Sequence, residues 1–282
     1  TNLDSFPNPD NIIRDTLPNG ITVLVKENPQ SPSVVIDAFL HAGSIYEKRS
    51  KAGLANCVAS MLMRGTSNAS FEEIHENLES VGTSLYFNAG VHTTSFGGKT
   101  LPEDISLLIE TAADIVRNPI FPDNHLEQLR AETLTGLMIR SHNTKAMAHL
   151  TLYESLYGNN HPYGYSNVGY QDTIANLTRQ NLIDFHTQNY GPSKMIITIV
   201  GNITATKATY LVNKYFGDWT NNKRSNIAPA PITKKPGFYS NHIHIPGKTQ
   251  TDIVIGYLGP KRTDPDFQSI RVANNILGVF GM

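Results

Sequence analysis

The chain has 282 residues, 39% of them hydrophobic, and a formal net charge of −1. That length holds one large domain or one and a half ordinary ones, and the composition suits a globular protein with a real core. The near-zero charge excludes a global pull towards nucleic acid or an anionic membrane surface, and no apolar run is long enough to span a bilayer.

No signal peptide opens the sequence at Thr1, so a soluble chain is expected, with its compartment left open. The one cysteine, Cys57, cannot form an internal disulfide and reads as a small buried apolar residue. Ile12 to Leu17 and Ile21 to Lys26 flank Pro18-Asn19-Gly20, a strong hairpin signal. Val34 to Leu40 reads as a third, apolar strand. The run His41-Ala-Gly-Ser-Ile-Tyr-Glu47 then leads into the stretch on which the functional reading turns.

That stretch is Gly53-Leu-Ala-Asn-Cys-Val-Ala-Ser-Met-Leu-Met-Arg-Gly65. Leu54, Val58, Met61 and Leu62 recur at three- and four-residue steps, which predicts a buried helix, and Gly65 closes it. Asn56 and Ser60 lie four apart, one above the other on the same helix face, with Ala59 just before the second. Two histidines at that spacing grip one zinc ion, and a glutamate beside the second activates the zinc-bound water.

A second helix is expected over Ser70–Val81, with capping-box spacing between Ser70 and Glu73 and a stop at Gly82. Ser84 to Ala89 and His92 to Phe96 read as paired strands, continued by Gly97, Gly98 and Lys99. Pro102 starts a helix striped by Ile105, Leu108, Ile109, Ala112 and Val116. Phe121-Pro122 opens one long helix, expected from about Asp123 through Leu150. After the loop His161-Pro-Tyr-Gly164 come a helix from near Thr178 to Tyr190, a core strand from Met195 to Val200, and a helix from Thr204 to Phe216.

Residues 221–236 are polar and proline-rich and read as a linker between a first domain, 1–220, and the beginning of a second, 237–282. In the second, His242 to Ile245 and Asp252 to Tyr257 are expected as strands, and Asp266 to Leu277 as a helix. The sequence stops at Gly281-Met282, short of a second full domain, so a longer protein is expected.

The frame Gly53-Leu54-Ala55, Met61-Leu62, Gly65-Thr66 resembles the inverted zinc-peptidase motif of the insulinase, pitrilysin and mitochondrial processing peptidase family, an H-x-x-E-H motif in a fixed frame. The preceding Ala-Gly-Ser-x-x-Glu run, the His-Pro-Tyr-Gly loop and the Tyr190, Pro192 and Gly201 positions extend the likeness over nearly the whole chain. The resemblance implies an α+β fold, a mostly antiparallel sheet covered by helices, followed by the start of a second similar domain. It also puts Asn56, Ala59 and Ser60 in the places of the first histidine, the base and the second histidine. By register the third ligand falls on Gly136, with Leu137 as the one-residue alternative. A further family carboxylate falls on Leu129, with Glu132 nearby but on the wrong face.

No catalytic or metal-binding residue is therefore expected in this chain, because an amide, a methyl, a hydroxyl and a glycine do not replace imidazole and carboxylate at zinc. In the family, active enzymes enclose substrate between two similar halves or subunits, one zinc-bearing and one degenerate. The resemblance thus implies a non-catalytic half or subunit of a zinc-dependent peptidase, in a hetero- or homodimer, with zinc in an active homologous partner. A structural scaffold, like the core proteins of the respiratory cytochrome bc complex, is the alternative, with an active zinc peptidase third. A peptide substrate is expected to pair along Asn88-Ala89, against the plainer reading of these two as ordinary sheet residues. No nucleic-acid partner and no membrane insertion are expected.

Overall fold

The computed structural model describes residues 8–220, 231–232 and 237–279. Six strands form one mixed sheet: β1 (Ile13–Thr16), β2 (Thr22–Glu27), β3 (Val34–Leu40), β4 (Ser84–Ala89), β5 (Thr94–Thr100) and β6 (Ile196–Gly201). Their order is β1-β2-β6-β3-β5-β4; the β2–β6 pair is parallel and the rest are antiparallel. The sheet is mostly antiparallel, as the resemblance implies.

Alternation along the strands decides which face is covered. Val23 and Val25, Ile197 and Ile199, Ile36 and Ala38, Phe96 and Leu85 all point to one side and are buried. Three rows run across the other side in strand order: Thr22–Ile196–Phe39–Ser95–Asn88, Leu24–Thr198–Asp37–Gly97–Tyr86 and Lys26–Val200–Val35–Lys99–Ser84. A register slip of one residue would exchange these faces and expose the core, so the apolar set pins the register.

On the buried face lie α1 (Leu54–Met61), α3 (Ile105–Arg117), α7 (Arg179–Asn189) and α8 (Ala205–Phe216). α1 packs on β4 and α7, α3 on β5 and α8, and α8 also on β2. Ile105, Leu108, Ile109, Ala112 and Val116, the stripe read from the sequence, are all buried. α2 (Phe71–Ser80) carries the expected capping box: Ser70 Oγ accepts from Glu73 N–H and the Glu73 carboxylate accepts from Ser70 N–H.

Two glycines in β5 make room for neighbours. A Cβ on Gly97 would meet the Tyr86 hydroxyl at 2.5 Å, because Tyr86 reaches across β5 to donate to Asp37 Oδ1 at 3.0 Å. A Cβ on Gly98 would meet the Ser84 carbonyl oxygen at 2.4 Å and Leu108 Cδ1 at 3.0 Å. The Ser84 oxygen is backbone and cannot withdraw without breaking the β4–β5 ladder. Gly98→Ala is therefore expected to lower the free energy of unfolding by about 1–3 kcal/mol, measured by urea titration; an unchanged midpoint would contradict this packing.

Four expectations are corrected. The helix expected from 123 through 150 is two helices, α4 (Asp123–Ser141) and α5 (Thr144–Tyr157). The break is a competition won locally: the Asn143 side chain accepts from Ala146 N–H and starts a new helix. The strand expected from His92 begins at Thr94, and the helix expected at Pro102 begins at Ile105, with Pro102 in the turn before it. The strands expected at 242–245 and 252–257 are absent; these residues form no ladder with any described strand, and Ile253, Ile255 and Tyr257 are 73–85% exposed. Alternating apolar residues make a strand only when a neighbour supplies the hydrogen bonds, and among the described residues none does. This stretch instead lies against α5, where Asn241 Nδ2 donates to Ser155 Oγ at 2.8 Å and Thr144 Oγ1 to Asp252 Oδ2 at 2.5 Å. A short helix, α6 (Gln171–Ala175), has no counterpart in the sequence reading, and α9 (Phe267–Asn274) falls where a helix is expected. Most of the expected linker, 221–236, lies outside the described residues.

Candidate functional site

α1 begins on a backbone only glycine accepts readily. Gly53, its N-cap, has φ +96°, and a Cβ there would meet Ile174 Cδ1 at 2.7 Å and the Val168 carbonyl at 2.8 Å. Having no side-chain cap of its own, the helix takes one from upstream. The Glu47 carboxylate accepts from Gly53 N–H through Oε1 at 2.9 Å and from Ala55 N–H through Oε2 at 2.8 Å. Glu47 is buried, and burial pushes its carboxyl up to about 8 against the pull of these backbone donors. Tyr165, in the loop after His161-Pro-Tyr-Gly164, donates its hydroxyl to the Glu47 carbonyl at 3.0 Å. Sequence reasoning noted the Ala-Gly-Ser-x-x-Glu run but missed this role. The signal was there: an acidic residue shortly before a helix whose own N-cap has no side chain.

The helix keeps its core face. Leu54, Ala55, Val58, Ala59, Met61 and Leu62 are buried, and Gly65 ends the turn at φ 125°. Asn56 is half-buried and Ser60 exposed, so these two share an accessible stripe while Ala59, 3% exposed, faces the core. Burial pushes the Cys57 thiol up to about 12, so it stays protonated and inert.

α4 packs beside α1. Of the two register alternatives on it, Leu137 is buried at 4% exposure, whereas Gly136 is exposed and a Cβ on it would meet nothing within 4 Å. Only Gly136 leaves room for a carboxylate. Leu129 is partly buried against the core, and Glu132 points to solvent and accepts from Gln128 at 3.0 Å. Next to Leu129, Arg130 donates to the Ile174 and Leu177 carbonyls and pairs with Glu127, and its charge acts on the Cys57 sulfur of α1. A fixed guanidinium there disfavours a nearby cation.

The donor set does not fit a zinc ion: Asn56 offers an amide, Ser60 a neutral hydroxyl, and Ala59 and Gly136 nothing. Among the described residues no group of three or more His, Cys, Asp or Glu side chains is arranged to hold a metal ion. Nor does a cavity of about 510 Å³ between α2, α3 and α8 supply one, since its carboxylates are engaged internally. Glu110 accepts from the Tyr215 hydroxyl at 2.9 Å, and Asp114 from Thr66 and Asn118. Among the described residues β4, the strand of Asn88 and Ala89, pairs only with β5, so its outer edge has no strand partner there; Asn88 is exposed and Ala89 buried. No helix among the described residues is long and apolar enough to cross a membrane.

Comparison with known proteins agrees with this geometry. The sequence profile of the insulinase family (peptidase family M16) matches residues 22–164, just over half the chain, and that of the peptidase M16 inactive domain matches residues 176–281. An uncharacterized zinc protease of Bacillus subtilis, YmxG, is 25% identical over 268 residues, covering 95% of this chain and 64% of the relative. The mitochondrial-processing peptidase subunit beta of Saccharomyces cerevisiae is also 25% identical, covering 93% and 57%. The chain thus spans about three-fifths of the length of such relatives. A crystal structure of a peptidase M16 inactive domain from Pseudomonas fluorescens superposes with a TM-score of 0.79 at 22% identity, over 96% of this chain and 65% of that one. A protease from Helicobacter pylori gives 0.71 at 21%, over 80% and 54%.

Proposed function

Because the chain belongs to the insulinase family of peptidases, M16, we propose that it is a non-catalytic half or subunit that forms a peptide-binding chamber with a zinc-bearing homologue. One observation carries the reading. The zinc helix keeps its apolar frame and its cap, while each ligand and base position, Asn56, Ala59, Ser60 and Gly136, holds a residue without the needed chemistry. Packing preserves the first set without any metal, and nothing in the fold requires the second.

In this arrangement the partner supplies zinc, its three ligands and the glutamate base. This chain closes one wall and orients the peptide, which pairs with β4 beside Asn88 and Ala89 through main-chain hydrogen bonds. Asn56, Ser60 and Gly136 are at least partly accessible and Ala59 packs into the core, so none of the four disturbs the packing, which supports a chain that has kept its fold for assembly.

The test is to assay a co-encoded homologue carrying intact H-x-x-E-H with and without this chain. The chain alone is expected to be inert, the mixture to form a heterodimer, and the homologue's hydrolysis of an unstructured peptide to rise. Peptide hydrolysis with stoichiometric zinc by this chain alone would overturn the reading. Co-purification with a respiratory membrane complex, and no effect on any homologue, would replace it with the scaffold role.

A further inference from the structure

We infer that a ladder of aromatic rings at the end of β4 is a subsite for an aromatic side chain of a peptide paired on that strand, an inference that rests on the peptide reading above. Five rings run without a gap from α5 to the β4–β5 turn. Tyr153 stacks on Tyr157 at 6.2 Å, and Tyr157 on His161 at 5.6 Å. Tyr163 stands edge-on to Tyr157 at 5.4 Å and to His161 at 4.8 Å, and His92, in the turn, is edge-on to Tyr163 at 5.5 Å. The Tyr163 hydroxyl and His92 Nε2 are 2.8 Å apart, and His161 Nδ1 accepts from Tyr163 N–H, so the rings are held in place by hydrogen bonds as well as by stacking.

The ladder is larger than the task of fixing the loop requires. A core use would bury its rings, yet His92 is exposed, Tyr153 is 50% exposed, and Tyr157 and Tyr163 are half-buried. Only His161 is buried. α5, which carries two of the rings, has no fully buried residue at all. Rings in such a row leave edges for another ring, in the tilted geometries aromatic pairs prefer.

The strand leading to the ladder is stripped of bulk. After Asn88 and Ala89 comes Gly90, which has no positive φ, and a Cβ on it would meet only the Thr93 carbonyl, at 3.5 Å, an ordinary contact. The backbone therefore does not demand glycine there. Its absent side chain leaves open space, a notch at the end of β4, two residues before His92 in the chain. One residue of an added strand advances about 3.3 Å, so a peptide beside Asn88 and Ala89 brings its next side chains to this notch. An aromatic side chain fills it and adds a rung; an alanine leaves it empty.

The test measures binding of fluorescein-labelled Thr–Ser peptides that carry a single Phe or Ala at successive positions to the full chain by fluorescence anisotropy. At one position Phe is expected to bind roughly two- to twelvefold tighter than Ala, the range of one aromatic pair. Gly90→Leu fills the notch, and His92→Ala removes the exposed rung beside it. Both are expected to abolish the Phe preference while leaving the all-Ala peptide's affinity unchanged. Ala89→Pro, which removes a main-chain N–H from the outer edge of β4, weakens every peptide alike. Equal binding of Phe and Ala peptides at every position would overturn the aromatic subsite and leave the peptide reading standing. A wild-type chain that binds none of the peptides would overturn both.

Discussion

Replacing Asn56 and Ser60 with histidine and Gly136 with glutamate is expected to turn a chain that ignores zinc into one that binds a single zinc ion. The helix frame is what makes the expectation sharp. α1 already holds positions 56 and 60 on one accessible stripe, and two imidazoles four residues apart need no rearrangement to share a metal. Position 136 is exposed with clear space above its Cα, so a glutamate enters without displacing anything. Zinc held by the folded state alone raises the free energy of unfolding by about 2.7 kcal/mol when its concentration is a hundredfold above Kd. The measurement is thermal unfolding of the triple variant across a zinc series, with wild type as control. A zinc-dependent rise only in the triple variant supports the assignment of the lost ligands. No zinc dependence would mean that the third-ligand register is wrong or that Arg130 repels the ion.

Two single changes calibrate that experiment. Gly136→Ala needs no metal and is expected to stabilise α4 by about 0.5–1 kcal/mol, because an exposed helix-interior glycine costs that much relative to alanine. Leu137→Glu puts a carboxylate where the side chain is 4% exposed and is expected to destabilise strongly. The triple variant is not expected to hydrolyse peptides. Its base position is still Ala59, which faces the core, and a glutamate introduced there has to find a way out of apolar packing.

How much of this was legible in the sequence depends on where the deciding interactions lie. The zinc-helix frame, the capping box at Ser70 and Glu73, the Pro-Asn-Gly hairpin and the α3 stripe were readable because their signals are local: periodicity, caps and turns. The parallel pairing of β2 with β6 was not, since strands about 170 residues apart in sequence choose partners by burial of a shared face and not by any local mark. The break between α4 and α5 hid behind good helix formers on both sides of Asn143. The stretches at 242–245 and 252–257 show the opposite failure, an alternating local pattern without the neighbour it needs. At the candidate site the residue types at positions 56, 59, 60 and 136 are plain in the sequence, and their assignment to zinc-ligand and base places comes from the resemblance. The sequence did not reveal that Glu47 replaces a side-chain cap at Gly53, because the five intervening residues must first turn back through a short helical turn, Arg49–Lys51.

Glu47 also leads to the second large effect. Removing its carboxyl with Glu47→Ala leaves the Gly53 and Ala55 N–H groups without acceptors in a buried site, and is expected to cost about 3 kcal/mol or more. The pH dependence separates the charge from the hydrogen bonds. Burial raises the Glu47 carboxyl from 4.5 to about 8 in the folded chain, so the folded state holds its proton more tightly than the unfolded state does. That contribution is fully present below pH 4.5 and is lost as pH rises through 8. His186 works the other way. It is half-buried against Phe121 and Tyr190 and donates from Nε2 to the Val116 carbonyl at 2.8 Å, and desolvation of the ring lowers it from 6.5 to about 4. Its contribution is present above pH 6.5 and is lost as pH falls through 4. Between pH 4.5 and 6.5 the two slopes oppose each other; between 6.5 and 8 only the Glu47 slope remains, and wild-type stability is expected to fall there by about 2 kcal/mol, at roughly 1.4 kcal/mol per unit. Glu47→Gln loses that slope but turns an amide NH2 towards one of the two N–H donors, a constant cost of about 1–3 kcal/mol. Urea titrations of both proteins from pH 6.5 to 8 are therefore expected to converge as pH rises. Parallel curves would mean that Glu47 is already ionised in the folded chain at pH 6.5, held there by the N-terminus of α1.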